Sequence, residues 1–395
     1  MNNNKTNSIN SKNDGMSVIV YTEFPLTYYG GGERLIIELY KFLKEKSIHI
    51  KVYENTARSR ETRIERQMID SVVGNDLISQ EFVRYGFPHF LYQDFPKIEE
   101  LITGEGDINL IFSRRIPPKS ILEKLSKSEK SYVFCLHGMA LEKFKFRSAR
   151  ILMHQMIMRR QLNLLSQYTK KNIYVQCLLP KVNMYLREKG AENQNVFTIE
   201  NEISQDDIKL LNNLDYFQIV FVGRMQNINK GIKLLSKIVR SVIKNENSIR
   251  FVIIGKGPDV KYLNSVKNDA EILEEANDSQ KDRMLQVSNL AIITSNLEPF
   301  PLVAEEFLLA GIPIVATPSS GPSHILGKNE KYGTVSSFNP KVFSEQILHY
   351  YLMWKQDKDS YFKMRQEIAA LAKSNFSKEH MLSSYLNLIN RINKK

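Results

Sequence analysis

Cysteine is nearly absent from this chain: there are two in 395 residues, Cys135 and Cys177. Both sit in apolar stretches, YVFCL and YVQCL, which excludes a disulfide framework and reads as buried thiols in a reducing compartment. The seven histidines show no paired ligand spacing, so no metal site is expected from them. No run approaches the roughly 18 apolar residues that cross a bilayer. The amino terminus does not read as a signal peptide. The expectation is therefore a cytoplasmic protein. Tryptophan occurs once, yet hydrophobic residues make up 42% and charged residues 25%, an ordinary globular balance that excludes collagen and wholesale disorder. Lysine and arginine number 55 against 43 acids, a net charge of +12. That surplus favours polyanionic or membrane-surface partners without choosing between them. The length allows two or three domains, and two is the simplest count.

Residues 1–15 are polar and Asn-rich with nothing to bury, and read as a disordered tail. From residue 16 the chain alternates. SVIVY (17–21) precedes a turn-like TEFPLTYYGGG and then ERLIIELYKFLKEK, where Leu35, Ile36, Leu39, Phe42 and Leu43 recur at helical spacing. HIKVYEN, INLIFSR, SYVFCLHG, NIYVQCLL and NVFTIEN continue the strand series. A fresh alternation begins near residue 216 with FQIVFVGRM, IRFVIIGKG, LAIITS and IPIVATP. Short buried strands alternating with helices predict parallel sheets covered on both faces. The expectation is α/β: two doubly wound Rossmann-like domains facing across a cleft, the first over 16–203 and the second over 216–375, joined by a polar linker at 204–215. Ligands in such sheets sit beyond the carboxyl ends of the strands.

Four motifs lie at such ends. Gly30, Gly31 and Gly32 follow a strand and open a helix, so backbone amides there can approach a phosphate or sugar closely. The spacing fits neither the dinucleotide fingerprint nor the P-loop, and a flexible turn explains it equally well. Gly223 and Arg224 end the strand FQIVFV, and Lys230–Gly231 opens the next helix; two such cations can clamp a diphosphate or simply face solvent. Glu298 lies just past LAIITS and Glu306 eight residues on, inside an apolar helix. Two carboxylates so placed suit a polyol ligand, or a helix start where acids favour the dipole. His137 ends the strand SYVFCL before Gly138 and reads as a cleft residue or a satisfied structural histidine.

Together these motifs, in this order, resemble glycosyltransferase family 4, retaining enzymes of the GT-B fold. Asn201 in TIENE, the strand end IIGKG with Gly255 and Gly257, and SSGPS (319–323) fall where that family has its interdomain Asn, its nucleotide loop and its second glycine-rich loop. The closing segment at 376–395 resembles the family's terminal helix, which packs back on the amino-terminal domain. The resemblance implies that Arg224 and Lys230 hold the diphosphate of a UDP- or GDP-linked sugar donor and that Glu306 accepts the ribose hydroxyls. It places Glu298 and the amides of Phe300, Leu302 and Val303 against the transferred sugar. Gly31 and Gly32 then approach the donor from the first domain, His137 sits beside the sugar, and Gly255 and Gly257 frame the nucleotide. The implied activity is a metal-independent hexosyl transfer with retention, needing no cofactor, to a glycan or lipid-linked acceptor in envelope or exopolysaccharide synthesis. No Asp-x-Asp element follows a strand in the catalytic region. The chain departs from the family at Pro299, where glycine is usual; with Pro301 this leaves Phe300 as one donor among three consecutive residues.

Residues 142–171 hold eight Lys or Arg and one acid, with Ile151, Met158, Leu162 and Leu165 on one helical face. RSRETRIERQ at 58–67 is a second, more mixed cluster. A helix of the first kind can lie on an anionic leaflet, giving peripheral attachment at the inner face of the plasma membrane, or it can pack its apolar face inward and leave the cations in solvent. No nucleic-acid-binding motif accompanies the charge, and no nucleic-acid partner is expected. Two alternatives keep the fold: a catalytically degenerate GT-B scaffold, for which Pro299 speaks, and a nucleotide-sugar 2-epimerase.

Overall fold

The structure, a computed structural model, describes residues 16–28, 30–57, 64–85, 93–142, 148–202, 210–211 and 215–394. The polar tail at 1–15, most of the stretch 204–215 and parts of both basic clusters lie outside the described residues. The chain divides into two compact units, Met1–Asn201 with Glu379–Lys395, and Glu202–Lys378.

Unit one contains β1 (Ser17–Thr22), β2 (His49–Asn55), β3 (Leu77–Gln80), β4 (Val83–Tyr85), β5 (Gln93–Phe95), β6 (Ile108–Phe112), β7 (Ser131–Leu136), β8 (Ile173–Cys177) and β9 (Val196–Thr198). Its helices are α1 (Gly31–Glu45), α2 (Arg66–Val73), α3 (Ile98–Thr103), α4 (Lys119–Leu125), α5 (Ala149–Tyr168) and α6 (Pro180–Glu188). Seven strands form one parallel sheet in the order β3-β2-β1-β6-β7-β8-β9; β4 and β5 make a separate antiparallel pair. The strands INLIF and IYVQC are buried at every position because helices cover both faces. α1 turns Leu35, Ile36, Leu39 and Leu43 into the core, the face its spacing predicts.

Unit two contains β10 (Gln218–Val222), β11 (Arg250–Ile254), β12 (Glu271–Leu273), β13 (Leu290–Ile293), β14 (Ile314–Ala316) and β15 (Gly333–Val335). Its helices are α7 (Asn227–Lys230), α8 (Ile232–Asn245), α9 (Asp278–Val287), α10 (Leu302–Leu309), α11 (Ser320–Leu326), α12 (Pro340–Gln356) and α13 (Lys358–Asn375). The sheet is parallel, in the order β12-β11-β10-β13-β14-β15. The last helix, α14 (Lys378–Asn393), carries Met381, Leu382, Tyr385, Leu388, Ile389 and Ile392 into the core of unit one, beside residues of α1 and β6.

Five elements were not predicted from the sequence: β3, the β4–β5 pair, β12 and β15. Each is three or four residues long, and β3, β12 and β15 are edge strands whose pairing neighbour, not their own hydrophobicity, makes them strands. The reading of IPIVATP as strand shortens to Ile314–Ala316, and NVFTIEN to Val196–Thr198. Both cysteines are buried free thiols, and burial pushes Cys177 up to about 12. In α5 the apolar face proves to be a packing face: Met158, Leu162 and Leu165 are buried in unit one. That corrects the idea that this stripe is available to a bilayer. What α5 shows outward is Met153 and Met156, 48% and 59% exposed, flanked by the exposed Arg150 and Arg160.

Candidate active site

In unit two the chain passes from β10 to β11 on one side and later returns to β13 on the other, so the switch point lies between β10 and β13. Three predicted site residues leave these two strand ends. Past β10, the Gly223 amide donates to Ile254 O at 3.0 Å and Met225 N to Lys256 O at 2.9 Å, which joins the exits of β10 and β11. Gly255 has φ +135°, and a side chain there would collide with the Gly223 carbonyl; Gly257, at φ +154°, would bring a Cβ to 2.6 Å from Met225 O. Both glycines are thus demanded by backbone packing between neighbouring exits, whatever they add to a nucleotide site.

α7 is a single turn ended by Gly231 in the left-handed conformation, φ +67°. It is laced to the exit of β13. Thr294 Oγ1 donates to Lys230 O at 2.7 Å, Asn296 N to Asn229 O at 2.7 Å and Asn296 Nδ2 to Asn227 O at 3.0 Å. This lacing brings Lys230 against Glu298, 68 residues apart, and the two form an ion pair across the switch point, with Ser295 Oγ donating to the same Glu298 oxygen at 3.1 Å. Both partners are largely buried.

Beyond Glu298 the Pro-Phe-Pro segment leads to α10, which begins at Leu302. Leu302 and Val303 are first-turn residues whose amides have no acceptor inside the helix, while Ala304 N donates to Pro301 O at 2.8 Å. Phe300 is buried. Gly321 of the SSGPS loop buttresses this segment: its amide donates to Glu298 O at 2.8 Å, and a Cβ would come within 2.8 Å of Pro299 O. Ser319, fully buried, has no hydrogen-bond partner for its hydroxyl among the described residues. Glu306 is buried on α10 and pairs with Lys281 of α9 at 3.1 Å. Lys281 carries no sequence signal: it sits in DSQKDRM, which reads as a solvated helix, and its partner is 25 residues away.

In unit one His137 follows β7. Its Nε2 is 3.2 Å from the Tyr385 hydroxyl and its Nδ1 is 3.3 Å from Asn201 Nδ2, with the ring 5.0 Å from that of Phe112. Desolvation lowers its pKa to about 4. The imidazole is neutral at neutral pH. The folded-state pKa lies below the ordinary 6.5, so the unfolded chain takes up the proton first as pH falls. Stability from this group is expected to be full above about pH 6.5 and to be lost toward about pH 4. Urea unfolding of wild type and His137→Gln across that range checks this; parallel pH slopes would refute it.

Gly30 caps α1, with an added Cβ only 2.6 Å from Glu33 Oε2, whereas Gly32 has open space around it. The switch point of unit one, between β1 and β6, holds a pair that the sequence reading missed: the Glu23 carboxylate accepts from Arg114 N at 3.0 Å and from its guanidinium at 3.3 Å. An acid directly after the first strand was the available signal.

The family model described as glycosyl transferases group 1 matches residues 202–368. That match falls within unit two. An uncharacterized glycosyltransferase of Methanocaldococcus jannaschii is 29% identical over 174 residues, 40% of this chain and 42% of that protein. A probable sucrose-phosphate synthase of Thermosipho melanesiensis is 33% identical over 101 residues, 26% of this chain and 22% of that protein. The matched stretches thus span less than half the length of these curated relatives. Solved structures cover nearly the whole chain at low identity. Sucrose-phosphate synthase from Thermosynechococcus elongatus superposes with a TM-score of 0.71 at 13% identity, over 96% of this chain and 99% of that one. A glycosyltransferase from Rickettsia africae gives 0.68 at 17%, over 97% and 100%. Anabaena HepE in complex with UDP and glucose gives 0.66 at 12%, over 95% and 99%. These likenesses establish the fold as GT-B, two Rossmann-like domains.

Proposed function

We propose that the protein is a retaining glycosyltransferase that moves a hexose from a nucleotide-diphosphate sugar to a glycan or lipid-linked acceptor, without a metal. The observation that carries this is the Lys230–Glu298 pair bridging the β10/β13 switch point, with Arg224 leaving the same strand. A diphosphate entering there exchanges the Glu298 partner of Lys230 for a phosphate oxygen and frees the carboxylate to accept sugar hydroxyls. Arg224 adds a second cation. Charge builds on the leaving phosphate as the glycosidic bond breaks, and preorganised cations stabilise it there most. The acceptor hydroxyl attacks from the leaving-group side and its proton passes to the departing phosphate oxygen. His137 is neutral and its two ring nitrogens are engaged by Tyr385 and Asn201, so its part is to hold the end of β7 in place. Glu306 takes the ribose hydroxyls, with Lys281 fixing the carboxylate.

Uridine is the base to try first, since HepE binds UDP-glucose. UDP, GDP and their hexose derivatives are expected to raise the melting temperature of unit two in one base series, with Glu306→Ala binding about tenfold weaker from the loss of one charge-assisted pair of hydrogen bonds. Failure of every series to bind would reject the donor assignment, and binding without sugar transfer to any acceptor would favour the scaffold alternative.

No helix among the described residues is long and apolar enough to cross a membrane. A peripheral site on an anionic surface belongs to the same proposal. Its support is the outward pair Met153 and Met156 between Arg150 and Arg160 on α5. Flotation with phosphatidylglycerol vesicles in low salt is expected to carry the wild type and to leave Met153→Ser/Met156→Ser behind; equal flotation of both would reject this face.

A further inference from the structure

Lys230 stands on α7, a single turn of four residues, and one turn of helix does not hold its shape unaided. Its place is set from outside, by the side chains of Asp259 and Asn227. Asp259 lies on the segment that leaves β11. Asn227 is the first residue of α7, so its amide has no acceptor inside the turn. Asp259 Oδ2 accepts from that amide at 2.8 Å. Asp259 is in turn fixed by its backbone: its amide donates to Met225 O at 2.9 Å, and its carbonyl accepts from Tyr262 N at 3.1 Å.

The side chain of Asn227 works in the other direction. α8 begins after Gly231, which has no side chain to cap it. Asn227, four residues earlier, supplies the cap: its Oδ1 accepts from Lys233 N at 2.8 Å. Its carbonyl accepts from Gly231 N at 3.0 Å and from Asn296 Nδ2 at 3.0 Å. One residue is thus bonded to the exit of β11 by its amide, to the exit of β13 by its carbonyl and to α8 by its side chain. Lys230 follows three positions on, with its amide donating to Gln226 O at 2.8 Å and its carbonyl accepting from Thr294 Oγ1 at 2.7 Å. A lysine side chain is long and flexible, so the backbone beneath it decides where the ammonium can reach. Here that backbone is tied to both strand exits and to the following helix.

We infer that Asn227 and Asp259 are positioning residues, which act through Lys230 and keep its ammonium where it meets Glu298. The consequence for transfer rests on the proposed function; the hold on Lys230 does not. Neither residue carries a sequence signal of its own, because the partners of Asp259 and Asn227 lie 32 and 6 positions apart.

The test has a kinetic arm and an arm that needs no donor. Asn227→Ala and Asp259→Ala are each expected to lower kcat about ten- to hundredfold, with KM for the donor within about threefold of wild type. Asp259→Asn keeps an acceptor oxygen and is expected to recover most of the turnover. In a Lys230→Ala background the two alanine substitutions are expected to add nothing, because the group they position is gone; a general loosening of the fold would lower kcat further. The second arm is amine labelling of the full chain with acetic anhydride, read by mass spectrometry. Lys230, ion-paired and with its side chain 22% exposed, is expected to label several-fold faster in both alanine variants and at the wild-type rate in Asp259→Asn, with the exposed Lys244 unchanged throughout. Unchanged labelling of Lys230 overturns the inference, as does a further fall in kcat on top of Lys230→Ala or turnover of both alanine variants within about twofold of wild type. Should Asp259→Ala fail to fold, Asn227→Ala decides alone, since it removes only the cap of α8. Faster labelling with no transfer from any nucleotide sugar defeats the proposed function and leaves the hold on Lys230 standing.

Discussion

Lys230→Ala is expected to lower kcat by about two to three orders of magnitude, the usual cost of deleting one preorganised donor at a centre of developing charge. The effect falls mainly on kcat because Arg224 remains to bind the ground-state diphosphate. A second consequence follows from the geometry. Glu298 is largely buried and shares its paired oxygen between Lys230 and Ser295. Removing the lysine leaves that carboxylate with a hydroxyl in place of a cation, so the variant is also expected to melt lower. Lys230→Ala/Glu298→Ala should recover the melting temperature and not the turnover. Steady-state transfer with the donor identified by binding, read alongside melting curves, decides the matter. Turnover within threefold of wild type would remove Lys230 from the mechanism.

Gly231→Ala is expected to damage fold and site together. Gly231 has φ +67°, where a non-glycine residue costs about 1 kcal/mol or more. Its Cβ would also run into the Thr294 carbonyl, whose residue bonds Lys230 O through its hydroxyl. Relief of that collision moves α7 away from the exit of β13 and separates Lys230 from Glu298. We expect a loss of about 2–4 kcal/mol in the stability of unit two, combining left-handed strain with the displaced hydrogen bonds. Turnover should fall with it. Gly32→Ala is the matched control, since the space around Gly32 is open and its helix position tolerates alanine. Urea unfolding followed in unit two checks the pair; equal stability of Gly231→Ala and wild type would mean that the β13 exit yields without cost.

Much of this molecule was legible in its residues. The buried strands announced themselves because a parallel sheet covered on both faces needs predominantly apolar runs, and SVIVYT, INLIF, IYVQC, QIVFV and LAII are such runs. Strand ends followed by glycine placed the loops that carry Arg224, Lys230 and Glu298. The edge strands β12 and β15 were not legible, since their three residues are strand only through the neighbour they bond. The basic stretch at 142–171 was legible as a helix, but its exposed face was not, because apolar residues lie on more than one side of it.

Residue types and their order by themselves determined the two runs of alternating strand and helix, and the list of groups able to meet a diphosphate sugar. Only tertiary structure decided how those groups are joined: that Lys230 and Glu298 form one ion pair, that Lys281 backs Glu306, and that Tyr385 reaches His137 from the last helix. The reason is physical. Local spacing sets which face a side chain leaves a helix or strand, whereas pairing between residues 25 to 248 positions apart depends on strand order and loop lacing, which no local pattern encodes.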